Sequence, residues 1–314
     1  MSNATLLNKK KKIAWGATTK GDRAFLTFIY VLIGIICFCM IYPMYLTIVA
    51  SVSDPYDVFN GKTHLLPSGL TLESYKLILG TKSIWRGYSN TIFYTVIGTV
   101  FNLVLTIPAA YAMSKKRMFG RGLLSTLFLI TMYFGGGMIP TYILYKNLGL
   151  INTRTILCIN GGLSVYNMIV TRTYFQNNIP DTLFEAARID GANEFLTFFK
   201  LVLPLSAPII AVITLYYAVG HWGMYFSALI YTYDDALQPL QLVLRNILIR
   251  NENMFEDLMS SGNAELIADA ARQSYLALTM KYALVFISSA PMLIAYPFVQ
   301  KHFVKGVMVG SLKG

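Results

Sequence analysis

Charge-free apolar stretches alternate with short polar ones along the chain. No Asp, Glu, Lys or Arg occurs between Arg23 and Asp54, Arg86 and Lys115, Arg121 and Lys146, Arg154 and Arg172, Lys200 and Asp234, or Lys281 and Lys301. A helix needs roughly 20 apolar residues to cross the hydrocarbon core, so each window predicts a membrane span, the fourth a short one. Hydrocarbon offers no partner for backbone N–H and C=O groups, and the alternating segments that a β-barrel requires are absent. The pattern therefore predicts an all-α integral membrane protein with six transmembrane helices.

Three windows carry helix-breaking residues. Gly135, Gly136, Gly137 and Pro140 in the third predict either a break or a close helix contact, and Asn160, Gly161 and Gly162 predict a bend in the fourth. The fifth window, residues 201–233, is longer than one straight span needs. It holds Pro204, Pro208, Gly220 and Gly223, so it is expected to bend or break. Tyr216, Tyr217, His221, Trp222, Tyr225 and Phe226 cluster there. Such side chains pair a flat apolar body with a hydrogen-bonding tip, which suits the CH faces and hydroxyls of a sugar. They read either as an interfacial aromatic belt or, taken as a group around His221, as the lining of a translocation path.

Composition agrees: 55% of the 314 residues are hydrophobic and 13% are charged, against about 25% charged in soluble domains. Charge adds the orientation. With six passages both termini share a face, together with residues 114–122 and 172–200, and that face sums to +11, whereas the loops 53–89, 146–154 and 234–281 sum to 0. Positive residues mark the cytoplasmic side. The expected organisation is a cytoplasmic segment 1–23, a six-span transmembrane domain 24–300 with cytoplasmic loop 172–200 and extracellular loop 234–281, and a cytoplasmic tail 301–314, all in a cell membrane. Lys9–Lys12 beside a span reads as an orientation signal or a contact with anionic membrane lipid, so no nucleic acid is implied. The first window is too long for the apolar region of a cleavable signal peptide. Cys37, Cys39 and Cys158 all fall within spans, which predicts buried, unpaired thiols.

The cytoplasmic loop contains EAARIDGANEFLTFFKLVLP, residues 185–204. Pro180 ends what precedes it, Thr182 with Glu185 predicts a capping box, and Gly191 permits a left-handed reversal before Asn193 caps a second helix. A helix this short is not stable alone in water, so it packs on the ends of the spans, lies among headgroups, or docks on a partner.

The spacing Glu185-Ala186-Ala187, three residues, Gly191, nine residues, Leu201-Val202-Leu203-Pro204 resembles the EAA loop of ATP-binding-cassette importer permeases, with Leu201 where Ile is usual. Six windows, a basic N-terminus and the ending FVKGVMVGSLKG resemble the carbohydrate branch of that family, which includes the maltose transporter's membrane subunits. QPLQLVLRNILI at residues 238–249 and the long loop after it look most like permeases for complex oligosaccharides and polysaccharide fragments. The resemblance implies the importer permease fold, with the loop acting as a coupling helix in which Glu185, Ala186, Ala187, Arg188, Asp190 and Gly191 engage a separate ATPase. It also implies a second homologous permease subunit, two cytoplasmic ATP-binding-cassette ATPases, an extracellular solute-binding protein meeting loop 234–281, and an oligosaccharide as cargo. No cofactor is expected in this chain, with ATP and Mg bound by the partner ATPase.

No G-x-x-x-x-G-K-[ST] phosphate loop occurs, so ATP hydrolysis and enzymatic activity are not expected of this chain. His64, His221 and His302 fall in an outer loop, a span and the tail, so no metal site is expected. Within the outer loop, Gln241–Ile249 and Ala264–Leu276 read as helical; the loop either caps the bundle or contacts a partner. A secondary transporter is an alternative, weakened by the lack of Asp or Glu within any window. A channel is another, and it leaves the charged loop unexplained.

Overall fold

A computed structural model describes residues 19–260 and 275–294, together with residue 297. The expectations for Lys9–Lys12, for His302 and the rest of the tail, and for most of Ala264–Leu276 lie outside the described residues. Most of the described residues are helical, with no strand among them.

The first helix, α1 (Lys20–Ser51), starts in a capping box. The Thr19 hydroxyl accepts from the Asp22 amide at 3.2 Å, and the Asp22 carboxylate accepts from the Thr19 amide at 3.1 Å. Only Val49, Ala50 and Ser51 of α1 are buried, while Phe25, Phe28, Phe38 and Met40 face outward. Such a continuous apolar surface is tolerated where lipid or another apolar body surrounds it. Cys37 and Cys39 sit on this exposed helix and Cys158 is buried within the protein; all three are free. The expectation of burial thus holds within the protein fold for Cys158 alone.

Two short helices, α2 (Pro55–Phe59) and α3 (Glu73–Gly80), lead into α4 (Lys82–Ser114), the axis of the bundle. Apolar helices gain little from one another in lipid, so close approach and polar contacts must hold them together. The buried side of α4 is built for that, with Gly87, Asn90, Thr91, Gly98, Thr99, Asn102, Thr106 and Ala110. An added Cβ at Gly87 would lie 3.0 Å from the Leu240 Cα, so only glycine lets that backbone come so near.

Past the tip at residues 115–120 come α5 (Arg121–Tyr133) and α6 (Met138–Asn147), which meet at 110°. The three glycines therefore mark a break. Added Cβ atoms at Gly135 and Gly136 would meet nothing within 4 Å among the described residues, so no helix contact within the described fold accounts for them. Gly137 has φ +85°, a conformation that side chains with a Cβ seldom adopt.

The fourth window forms α7 (Arg154–Ile159) and α8 (Val165–Asn178), neither long and apolar enough to cross alone. They part at Gly161, φ +72°, where Asn102 on α4 donates to the carbonyls of Gly161 and Gly162 at 3.2 and 2.8 Å. The loop helix α9 (Asp181–Ile189) follows, then α10 (Glu194–Thr197), a π-turn over Phe198–Val202 and α11 (Leu203–Leu205). The chain bends by 80° into α12 (Ala207–Trp222), so the proline-rich entry does break the fifth window. A second interruption at Gly223 and Met224 precedes α13 (Tyr225–Tyr231), and α14 (Leu240–Ser260) covers the expected helix at Gln241–Ile249.

The last described helix, α15 (Tyr275–Ile294), begins before the expected window and carries Lys281 within it. By length and composition α1, α4 and α15 can each cross a membrane, and the two bent pairs bring the number to five.

Candidate functional site

The loop around α9 is held from behind and bare in front. Its rear support is the end of α4. Tyr111 donates its hydroxyl proton to Glu194 Oε2 at 2.6 Å, and Lys115 Nζ reaches the same oxygen at 3.1 Å. The Lys115 ammonium also lies 3.9 Å from the Phe184 ring centroid and 4.6 Å from that of Tyr111, so one cation ties α9 and α10 to α4. The hydrogen bond from Tyr111 and the charge of Lys115 hold the Glu194 carboxyl below its ordinary range against the opposing effect of partial burial, which keeps it ionised at neutral pH. Lys116 and Asp181 approach to 3.4 Å, both largely exposed, so that pair adds at most about 1 kcal/mol.

Beneath this anchor lies a packed cluster of Ile107, Tyr111, Phe175, Phe198, Val202 and Ile213, with Phe184 of α9 laid on it. Local sequence explains both ends of the element. Gly191 adopts φ +76° and its amide donates to the Arg188 carbonyl at 3.2 Å, while Ala192 donates to Ala187 at 2.9 Å. The reversal predicted at Gly191 thus forms, and the Asn193 side chain accepts from the Leu196 amide at 2.8 Å as expected. The capping box at Thr182 and Glu185 does not form. Pro180 occupies the N-cap without a side-chain bond and Asp181 opens the helix, so Thr182 falls two positions inside the cap.

Among the described residues, nothing covers the opposite face of α9. Glu185, Ala186, Arg188 and Asp190 are exposed, Ala187 is half-buried, and Ile189 is 86% exposed. Glu185 and Asp190 enter no ion pair or side-chain hydrogen bond among the described residues. A groove of about 690 Å³ runs between α9 and the end of α4, bordered by Lys115, Phe184, Glu185 and Arg188. This arrangement presents an acid, small residues and an unsheltered isoleucine on a short helix that precedes α10 and α12 in the chain.

The six residues of the fifth window divide. Tyr217 and His221 turn into the bundle. The Tyr217 hydroxyl lies 2.6 Å from the Thr106 hydroxyl and accepts from the Ser164 amide at 3.1 Å. His221 Nε2 lies 2.6 Å from Asn102 Oδ1. The imidazole fills the space beside Gly98, where an added Cβ would come within 2.3 Å of the ring. Trp222 is half-buried and donates Nε1–H to the Ser288 carbonyl at 2.9 Å. Tyr216, Tyr225 and Phe226 are exposed.

Sequence reasoning missed Tyr111, Lys115 and Glu194 as the anchor of the loop, and Asn102 as the hub of the interior. Asn102 had a readable signal, being an amide in the middle of an apolar window. Tyr111 had none, because only the fold brings it to Glu194. No cluster of His, Cys, Asp and Glu capable of holding a metal occurs among the described residues.

A family model described as "Binding-protein-dependent transport system inner membrane component" matches residues 78–309. The chain is 37% identical to the polygalacturonan/rhamnogalacturonan transport system permease protein YtcP of Bacillus subtilis over 93% of this chain and 99% of that protein. It is 36% identical to Protein LplC of the same organism over 94% and 97%. Among solved structures it resembles a chain from a bacterial ATP-binding-cassette transporter involved in import of the acidic polysaccharide alginate. The TM-score is 0.79 at 35% identity, covering 91% of this chain and 99% of that one.

Proposed function

The chain belongs to the family of binding-protein-dependent transport system inner membrane components, and from that premise we propose how it works. It is the permease subunit of an ATP-binding-cassette sugar importer, which displaces the secondary-transporter and channel alternatives. Its translocation path is half of a pathway completed by a second permease, and six spans with cytoplasmic termini carry it. The charge asymmetry supports that orientation: the basic tip at residues 115–120 and α9 share one end of the bundle, joined by the contacts of Lys115 and Lys116.

The cargo is a polysaccharide-derived oligosaccharide delivered by an extracellular binding protein. The named cargoes of its relatives, polygalacturonan/rhamnogalacturonan and alginate, support that class. A further solved structure, alike in fold at a TM-score of 0.51 and 15% identity, is described as an alginate transporter with a pentasaccharide-bound periplasmic protein. Energy arrives from two partner ATPases that bind ATP and Mg.

The observation that carries the coupling role is the bare outer face of α9 on a rigid rear mount. An ATPase surface gripping Glu185, Ala186 and Arg188 would push α9. The push passes through Phe184 and Glu194 to the end of α4, and through α10 and the π-turn into α12, whose 80° entry bend converts it into a tilt. Tyr216, Tyr225 and Phe226 line the path exposed by that tilt, while Tyr217, His221 and Trp222 keep α12 in register with α4, α8 and α15.

The test is co-expression with the cognate ATPase, permease partner and binding protein. Complex formation and ATP-dependent uptake are expected of the wild type. Glu185→Arg should leave membrane insertion intact, while uptake per ATP hydrolysed falls about ten-fold, the equivalent of roughly 1.4 kcal/mol of lost coupling. Normal uptake by that variant would remove α9 from the mechanism.

A further inference from the structure

Beside the tip that joins α4 to α5, at the end that carries α9, lies an open cleft of about 540 Å³. Lys116, Arg121 and Arg172 line it, with Ser125 and the backbone of Gly120 and Gly122. Among the described residues no carboxylate lines it, although Lys116 also meets Asp181 at the rim. Arg172 is half-buried, donates from Nη1 to Ser125 Oγ at 3.4 Å, and stands within electrostatic reach of Arg121. Two guanidinium groups brought together without an acid repel each other, and an anion between them reverses the sign of that interaction. Their planar donor forks match phosphate oxygens, and Ser125 adds a hydroxyl.

What lies below the cleft narrows the choice of anion. Ser125, Leu129 and Met132 follow Arg121 at helical spacing, so they continue the same side of α5 into the apolar part of the bundle. Leu129 and Met132 are exposed. Phe119, between the lining residues Met118 and Gly120, is 98% exposed on the basic tip, the position in which an aromatic ring enters the headgroup layer. A cationic cradle above an open apolar face has the shape of an amphiphile, whereas a free phosphate would use the cradle alone.

We propose that this cleft is a binding site for the phosphodiester headgroup of an anionic phospholipid, with Arg121 and Arg172 clasping the phosphate and an acyl chain lying along Leu129 and Met132. The lipid then fills the gap between α5 and α8 next to the loop that moves during transport, so the composition of the inner leaflet bears on how freely that loop moves.

The purified full chain in detergent micelles would be titrated with phosphatidylglycerol, with phosphatidylcholine, and with inorganic phosphate alone, bound lipid being read by native mass spectrometry. Phosphatidylglycerol is expected to bind more tightly than phosphatidylcholine, with about a five-fold loss for each of Arg121→Gln and Arg172→Gln. Arg172→Lys should keep most of the preference, and unchanged phosphatidylcholine retention would show that each variant is folded. Leu129→Asn should weaken phosphatidylglycerol without altering charge. Equal binding of the two lipids, or full retention in the double glutamine variant, would overturn the proposal. Complete displacement of phosphatidylglycerol by inorganic phosphate would overturn it too, and assign the cleft to free phosphate.

Discussion

Asn102 holds the interior of this permease together at the level of single atoms. Its amide nitrogen donates to two carbonyls freed by the break between α7 and α8, and its oxygen faces the imidazole of His221. In hydrocarbon those carbonyls have no water to turn to, so removing their donor costs the desolvation of each. Asn102→Ala should destabilise the protein by about 1–3 kcal/mol, seen as a lower midpoint of thermal unfolding in detergent. Gly98→Ala attacks the same spot from the other side, by driving a methyl group into the His221 ring, at a cost of about 1–3 kcal/mol. Adding His221→Ala to Gly98→Ala should recover part of that loss. If Gly98→Ala alone melts like the wild type, the imidazole does not sit where the structure puts it.

At the scale of elements, the loop helix depends on its reversal more than on its own helicity. Nine residues with no buried member gain little by themselves, so α9 keeps its pose through Phe184, through Glu194 at the start of α10, and through the turn at Gly191. A β-branched residue in the left-handed region costs roughly 1–2 kcal/mol, whereas asparagine tolerates it. Gly191→Val is therefore expected to cut uptake per ATP hydrolysed about five-fold, and Gly191→Asn to leave it close to normal. The comparison isolates backbone conformation, because an added Cβ at Gly191 would meet nothing within 4 Å. Equal transport by both variants would place the hinge elsewhere. The breaks at Gly137 and Gly161 follow the same rule and were visible as glycine runs. The capping box at Thr182 was not a reliable sign, since Pro180 set the helix start two residues earlier than the motif implied.

For the whole molecule, the question is which end faces which compartment. α4 runs through its 33 residues from α3 to the basic tip, about 50 Å at 1.5 Å per residue, enough to put its ends on opposite sides of a bilayer. Phe119 beyond one end is 98% exposed and Leu70 before the other is 79% exposed. In a background with Cys37, Cys39 and Cys158 replaced, a cysteine at Leu70 should react with a membrane-impermeant maleimide on intact, wall-free cells, and one at Phe119 only after lysis. The reverse result would invert the molecule, taking the charge argument and the coupling role of α9 with it.

Hydropathy alone determined that this chain is a helical membrane protein, because lipid forbids unpaired backbone groups and that constraint is written locally, in the length and apolarity of each window. The EAA spacing likewise located α9, since a short helix, a glycine reversal and a second cap are all local features. The fourth window shows where local information ended: the apolar run is real, but it folds as α7 and α8 rather than one rod, and an asparagine on another helix takes up the carbonyls released at Gly161 and Gly162. The division of the aromatic set into inward Tyr217 and His221 and outward Tyr216, Tyr225 and Phe226 was decided by the tertiary structure as well. Side-chain direction on α12 is set by its crossing with α4, and the seat beside Gly98 exists only once those two helices touch.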